Sequence, residues 1–340
     1  MRVGLIGTGA VAHKHARALQ NIGCGVTVCA NRREEAGREF AARYGAAFAV
    51  TWQEVCRHPE VDFVDVCTFP EFRLEVVDLC AATGKHVLVE KPIATSLETA
   101  GRMIETARRG GILLGVVSQH RFDDASLFLS RAVAAGRLGR LIECDCYVKW
   151  FRSAEYYRRP AKGSWKTEGG GALIGQAIHQ VDLLRWLAGP VAEVAGMWQL
   201  GARNTIESED VVNAVVRYAS GATGVLQAAT AFWPGYPERI ELHGTQGSAV
   251  ISGDKLTVWD VEDAVGENGC ERAPVVTGAA SGASDPMAIS LAPFERQFRD
   301  FGDAITTDRK PLVAGEEGYQ ALEVVDAVYR ACRTGQKVTL

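Results

Sequence analysis

Polar residues interrupt the apolar stretch GGGALIGQAIHQVDLL, among them Gln176, His179 and Asp182. Their spacing is i, i+3, i+6, so successive pairs share a face of one helix, expected over Gly170–Leu187. An imidazole can take or give a proton near neutral pH, and a glutamine can hold a hydroxyl without taking its proton. Two readings stand at this point. One is a core helix with a hydrogen-bonded histidine. The other is a polar stripe facing a cleft, where convergent polar groups bind or catalyse. Gly169, Gly170 and Gly171 would then let the helix start close to a ligand.

A second chemical stretch is HVLVEKPIA, His86 to Ala94. An apolar strand ends there in Glu90, Lys91 and Pro92. Lysine is expensive to bury, and proline cannot remain in a central strand. A lysine just past the carboxyl end of a parallel strand can point into a ligand crevice. A cis bond to Pro92 would fix its direction. Equally, Glu90 and Lys91 can form a surface ion pair.

The third is GLIGTGAVA, with Gly7, Gly9 and Ala12 in a GxGxxA pattern between the first strand and the first helix. The first glycine permits the tight turn, the second lets a pyrophosphate approach the backbone, and the alanine allows close packing. Phosphates would sit at the positive end of the helix. The next strand ends VCANRRE, so Asn31 stands where an acidic residue would bind ribose hydroxyls, with Arg32 and Arg33 behind it. A carboxylate would repel a 2′-phosphate, whereas asparagine and arginine accept one, so the expected cofactor is NADP, with NAD open. Both arginines can also be solvated residues at a helix start. In WFRSAEYYRRPAKGSW, the residues Trp150, Arg152, Tyr156, Tyr157, Lys162 and Trp165 crowd a loop. Aromatic faces beside donors suit a pyranose or cyclitol ring, and an interface or core cluster is the alternative.

The elements that must position these residues fall into two patterns. Short β-branched runs, Val3–Ile6, Gly25–Cys29, Val61–Cys67, His86–Val89 and Ile112–Val117, alternate with helical stretches over Val11–Asn21, Glu34–Tyr44, Phe72–Thr83 and Leu97–Arg108. Thr51 and Glu54 have capping-box spacing, Ser96 can cap the next helix, and Gly84 closes another. Alternating strands and helices imply a parallel sheet covered on both faces. After about residue 122 come a helix at Ala125–Ala135, the long strand LIECDCYVKW and several further strands, with a hairpin turn at Ser220-Gly221. Val261–Asp285 reads as a surface loop, and helices over about Ser290–Thr306 and Glu316–Cys332 follow. The expected fold class is α/β. A doubly wound Rossmann domain spans 1–121, and an α+β domain with a large, mostly antiparallel sheet spans 122–340, for substrate binding and oligomerisation.

Composition bounds the partners. The 340 residues are 47% hydrophobic and 23% charged, with a formal net charge of −4. With no Lys/Arg block, no nucleic-acid partner is expected. The nine cysteines are scattered and read as reduced core thiols. The start MRVGLIGTGA does not read as a signal peptide, and no apolar run approaches a membrane span. A cytoplasmic protein is expected. No ligand spacing for a metal is present.

The GxGxxA turn, TFP at Thr68–Pro70, GKHVLVEKPIA, GGGALIGQAIHQVDLLRWLAG and IELHGTQGSAVI fall in the order seen in the Gfo/Idh/MocA oxidoreductases, and the chain resembles that family over nearly its whole length. The resemblance implies that Lys91 lies beside the nicotinamide and the substrate hydroxyl and that His179 is the usual acid–base residue; with glutamine at 176, His179 or Lys91 must handle the proton. It implies a cofactor set of Gly7, Thr8, Gly9, Ala10 and Val11 in the turn and Asn31, Arg32 and Arg33 at the second strand. Thr68, Phe69, Pro70, Glu90, Lys91, Pro92 and Gln119 complete that set. The implied substrate set is Arg152, Tyr156, Tyr157, Trp165, Gln176, His179 and Asp182. Many members carry aspartate where Gln176 stands and histidine where Arg73 stands, and Arg73 has no account from sequence. The implied reaction is hydride transfer between NAD(P) and a ring carbinol of a sugar or cyclitol, in a homodimer or homotetramer. The rivals are a non-catalytic dinucleotide-binding regulator and a cofactor-dependent glycosidase that oxidises transiently.

Overall fold

The computed structural model describes residues 1–159, 162–203, 205–262 and 290–340. Strand and helix alternate first: β1 (Arg2–Ile6), α1 (Ala10–Asn21), β2 (Gly25–Ala30), α2 (Glu34–Tyr44), β3 (Ala47–Ala49), α3 (Trp52–Arg57), β4 (Phe63–Val66), α4 (Arg73–Thr83), β5 (His86–Val89), α5 (Leu97–Gly110) and β6 (Leu114–Val116). The strands pair only in parallel, in the order β3-β2-β1-β4-β5-β6. Every residue of β4 is buried, as helical cover on both faces requires. This strand order is that of doubly wound nucleotide-binding sheets, whose ligands lie beyond the carboxyl ends of the strands.

Local signals set the helix limits. The Thr51 hydroxyl accepts the Glu54 backbone N–H and donates to its carboxylate, closing the expected capping box at the start of α3. Ser96 caps α5 through the Thr99 N–H at 3.2 Å. The α4 helix starts at Arg73, one residue later than expected, because Pro70–Phe72 form a 3₁₀ turn ahead of it. The three-residue β3 is too short to leave a pattern in sequence.

The chain continues with α6 (Asp124–Ala134), β7 (Leu141–Lys149), α7 (Ala154–Tyr157), α8 (Ile178–Ala188), β8 (Val191–Leu200), β9 (Glu209–Tyr218), β10 (Thr223–Ala229), β11 (Arg239–Gly244), β12 (Gly247–Ser252), β13 (Lys255–Val261), α9 (Ala292–Thr307), α10 (Gly315–Thr334) and β14 (Val338–Thr339). Eight of these strands form one sheet, β13-β12-β11-β7-β10-β9-β8-β14, antiparallel except between β7 and β10. The Ser220-Gly221 hairpin closes with Gly221 at φ 89°. The loop expected over Val261–Asp285 lies, beyond Glu262, outside the described residues. Two compact units result: Met1–Gln119 with Leu291–Tyr319, and His120–Ser290 with Gln320–Leu340. The described cysteines are unbridged thiols. No helix among the described residues is long and apolar enough to cross a membrane.

One expectation changes. The helix read over Gly170–Leu187 begins as a π turn, Leu173–Ala177, and only then becomes α8. A π turn advances less per residue around the axis than an α turn, so Gln176 does not stand on one regular face with His179 and Asp182. Packing accounts for two of the glycines before it, Gly170 and Gly171. A Cβ on Gly171 would lie 1.9 Å from the Glu209 carbonyl oxygen, and one on Gly170 would meet the Tyr329 hydroxyl at 2.3 Å. By contrast, a Cβ on Gly175 meets nothing within 4 Å. Gly171→Ala should therefore lower unfolding free energy by about 1–3 kcal/mol, the usual cost of overpacking. Gly175→Ala should cost nothing or stabilise slightly. Urea denaturation of both variants checks this, and equal stability for the two would refute the packing account.

Candidate active site

In the first unit the polar groups gather at the carboxyl ends of β1, β4 and β5. Gly7, at φ 91°, turns the chain out of β1, and its N–H donates to the Ala30 carbonyl at 2.9 Å. A Cβ there would press on the Cys67 carbonyl at 3.1 Å, so the turn demands glycine. Gly9 faces open space, α1 starts without a side-chain cap, and its first turn carries no acid. The Ala12 N–H donates to the Gly9 carbonyl at 3.0 Å, and the other N–H groups at the helix start are left toward an incoming anion. Thr68 Oγ1 and the oxygen of the deeply buried Gln119 are buried without a hydrogen-bond partner among the described residues. An uncapped helix start beside orphaned polar atoms fits a dinucleotide.

Lys91 is half-buried past the end of β5, and the Lys91–Pro92 bond is cis, as expected. The surface-pair reading fails, because Glu90 is buried and its carboxylate turns inward. Glu90 Oε2 accepts the Lys91 backbone N–H at 2.9 Å, and Oε1 meets His15 Nε2 at 3.2 Å. His15 Nδ1 reaches Asp65 Oδ2 at 2.9 Å and the Cys67 sulfur at 3.4 Å. Phe294 and Phe298 pack on the His15 ring with centroids at 5.4 and 5.1 Å. Burial pushes His15 down, but Asp65 and Cys67 outweigh it and raise it well above the ordinary imidazole value. Desolvation pushes Glu90 up, and His15, Lys91 and Arg73 bring it below the usual carboxylate value.

Arg73 now has an account. It is 2% exposed, and burial lowers its guanidinium to about 10, still cationic at neutral pH. Its Nε and Nη2 donate to the Thr68 carbonyl at 3.1 and 2.6 Å, and Nη1 donates to the carbonyls of Glu90 and Pro92. One side chain staples the TFP turn to the EKP turn. His15, Asp65 and Cys67 have metal-ligand atoms within 4.8 Å of one another, and burial pushes the Cys67 thiol up to about 12. Asn31 stands at the end of β2 with its amide donating to the Arg33 carbonyl at 3.0 Å, and Arg32 and Arg33 are exposed.

In the second unit, Gln176 is clamped. Arg152 Nε and Nη2 donate to its Oε1 at 3.1 and 2.9 Å, and its amide donates to the Tyr156 hydroxyl at 2.8 Å. Arg152 is buried between the rings of Trp150 and Tyr156, and desolvation lowers its guanidinium. Tyr157 packs edge-on against Tyr156, and its hydroxyl lies 2.6 Å from Thr230 Oγ1. His179, 9% exposed, packs edge-to-face with His120 at 5.3 Å, and His120 bonds Asp123 at 2.8 Å. Asp182 receives Arg121 through both oxygens, at 2.7 and 2.5 Å. His120 and Arg121 belong to one 3₁₀ turn, Gln119–Phe122, so a single turn meets two residues of α8. Trp165 falls elsewhere, in a cluster with Trp198, Tyr329 and Arg333.

Residues 1–118 match the oxidoreductase family with an NAD-binding Rossmann fold, and 127–250 match the GFO/IDH/MocA C-terminal domain. This chain belongs to the Gfo/Idh/MocA oxidoreductase family. It is 30% identical to 1,5-anhydro-D-fructose reductase of Ensifer adhaerens, over 98% of this chain and 97% of that protein. It is 27% identical to myo-inositol 2-dehydrogenase of Thermotoga maritima, over 100% and 98%. A structure of the WlbA dehydrogenase from Bordetella pertussis, in complex with NADH and UDP-GlcNAcA, superposes with a TM-score of 0.87 at 26% identity, covering 100% of this chain and 98% of that one.

Sequence reasoning passed over four residues of this Gfo/Idh/MocA member: His15, Asp65, His120 and Glu209. Glu209 anchors the start of the helix that carries His179. It is fully buried, accepts the N–H groups of Gly171 and Leu173 at 2.8 Å each, and receives the Tyr329 hydroxyl at 2.8 Å. Desolvation outweighs these donors and raises Glu209 from 4.5 to about 7. The folded state then keeps a proton that the unfolded chain has lost, so stability falls as pH rises across that window. The change is on the order of 3 kcal/mol. Urea unfolding at pH 5 and pH 8 should show this fall, and Glu209→Gln should flatten it. An unchanged difference in the variant would place the titration on another group.

Proposed function

We propose that this protein transfers a hydride between NADP(H) and a ring carbinol of a sugar or cyclitol, with His179 moving the hydroxyl proton and Lys91 holding the developing charge on oxygen. The observation that carries this is the strand-end lysine: its backbone is fixed through Glu90 and Arg73 while its side chain stays half-exposed. The Gly7–Val11 turn, Thr68–Pro70, Glu90–Pro92 and Gln119 hold the dinucleotide, with Thr8 in the turn and Phe69 in the TFP segment. Hydride acceptance and return is the chemistry that a bound nicotinamide supplies.

In the oxidative direction the carbinol C–H leaves as hydride, its O–H proton passes to a ring nitrogen of His179, and a carbonyl remains. The Lys91 ammonium donates to the oxygen as negative charge builds, which lowers the barrier because the donor is already in place. Gln176 cannot take the proton. Arg152, Tyr156, Tyr157 and Gln176 bind the polar rim and the C–H face of the ring. Asp182, engaged by Arg121, holds the helix rather than the ring. The substrate class draws support from the relatives, which include a reductase of 1,5-anhydro-D-fructose and a dehydrogenase of myo-inositol. The open face of the second sheet, with Met197 and Val215 exposed, would pair subunits in a homodimer or homotetramer. For the cofactor, the missing strand-end carboxylate and the two exposed arginines favour the 2′-phosphate.

The test is a steady-state assay with NADPH, NADH and their oxidised forms. The panel is 1,5-anhydro-D-fructose, myo-inositol and a uronic-acid sugar nucleotide. His179→Ala should lower kcat by about 10²–10⁴, the share of a positioned acid–base group, with dinucleotide affinity by fluorescence titration nearly unchanged. Lys91→Met should be comparably slow. Collapse of cofactor binding in His179→Ala would make that residue structural. Asn31→Asp should move the NADP/NAD preference toward NAD by roughly tenfold, about 1.4 kcal/mol. Equal preference in wild type and variant would refute the charge argument.

A further inference from the structure

We propose that His15, wedged between Asp65 and Glu90, is a positioning residue for Lys91, acting through the Glu90 carboxylate. The proposal rests on the reading of Lys91 given above. His15 lies on α1, two turns past the glycine turn, and is fully buried. Its ring nitrogens face one carboxylate each, at 2.9 and 3.2 Å. A neutral imidazole has one N–H and cannot donate to both, so two ionised partners call for the cation. The raised His15 and lowered Glu90 agree with this. The Cys67 thiol and two phenyl rings, Phe294 and Phe298, also lie against the ring. Arg73 supplies the second buried cation, on the carbonyl side of the same turn.

The geometry passes from ring to lysine in two bonds. His15 fixes Glu90 Oε1, and Glu90 Oε2 then fixes the Lys91 N–H at 2.9 Å. Without His15, Glu90 Oε1 loses its buried donor and the carboxylate turns toward another one within reach. The backbone from which the Lys91 side chain departs loses its acceptor. A displacement of about 1 Å at a reacting group costs on the order of 100-fold in rate.

The first experiment uses the wild-type protein. Nitrogen NMR of His15 should show both ring nitrogens protonated up to pH 8, and a neutral ring at pH 7 overturns the proposal without any variant. The second is a double-mutant cycle on the panel substrate with the highest turnover. His15→Gln should lower kcat by roughly 10–100-fold while dinucleotide affinity changes less than about threefold. Glu90→Gln in the His15→Gln background should restore part of kcat, because the carboxylate that lost its donor is gone. In the Lys91→Met background, His15→Gln should have no further effect. If Lys91→Met is slow and His15→Gln still costs its full factor there, His15 acts elsewhere and this inference falls alone. If Lys91→Met turns over at the wild-type rate, the reading of Lys91 falls and this inference falls with it.

Discussion

A carboxylate buried at the end of a parallel strand needs a donor inside the protein, and in this chain that need organises the first unit. Glu90 is buried, so its charge must be met by neighbours rather than by water. His15 meets it from α1, and Asp65 on β4 holds the other side of the same ring. The helix after the glycine turn is thereby tied to two paired strands, β4 and the EKP strand β5. Arg73 adds the TFP turn by binding carbonyls from both loops. The strand can therefore be apolar to its last residue and still present a lysine immediately beyond it. Glu90 does not neutralise that lysine as a side-chain partner on the surface. Its charge is matched within the core.

The sequence showed much of this frame and little of its interior. Alternating β-branched runs and helical patterns gave the parallel sheet, because both faces of its strands are buried and the runs are continuous. The capping box at Thr51 and the stop at Gly84 were legible because caps are local chemistry. His15 left a signal that was not weighed. Ala12, His15, Ala16 and Leu19 follow i, i+3, i+4, i+7, so the histidine stands on the buried stripe of α1. Asp65 left another, as the one charge inside FVDV. Neither residue names its partner. The ring meets Glu90 across 75 positions and Asp65 across 50, and such pairings follow from topology rather than periodicity. The phenyl rings that seal it come from α9, more than 270 residues further along.

The second unit shows the same limit in another form. A glycine triplet before a polar helix reads as room for a ligand. The Glu209 carbonyl fills that room, and the Glu209 carboxylate caps the backbone at the same point. Glycine is needed because β9 passes too close for a Cβ, and no pattern within GGG distinguishes one close neighbour from another. The π turn was equally silent, since apolar and small residues fit both helical forms. Its consequence is specific. Gln176 leaves the regular face of α8 and meets Arg152 and Tyr156, while His179 and Asp182 stay on that face and meet the turn from Gln119 to Phe122.

The glutamine at 176 then sets the electrostatics of its surroundings. An aspartate there, as in many members of the family, would pair with Arg152 as an ion pair and cancel its charge. Glutamine offers Arg152 an acceptor oxygen that carries no charge, beside Tyr156 and Tyr157, while the buried Glu238 acts on the same guanidinium. The amide is fixed by the hydrogen bond to the Tyr156 hydroxyl, which orients Oε1 toward the guanidinium. Two effects follow from this one replacement. The local field is more positive than an aspartate at 176 would leave it. Residue 176 can also take no proton near neutral pH, because an amide has no group that titrates there.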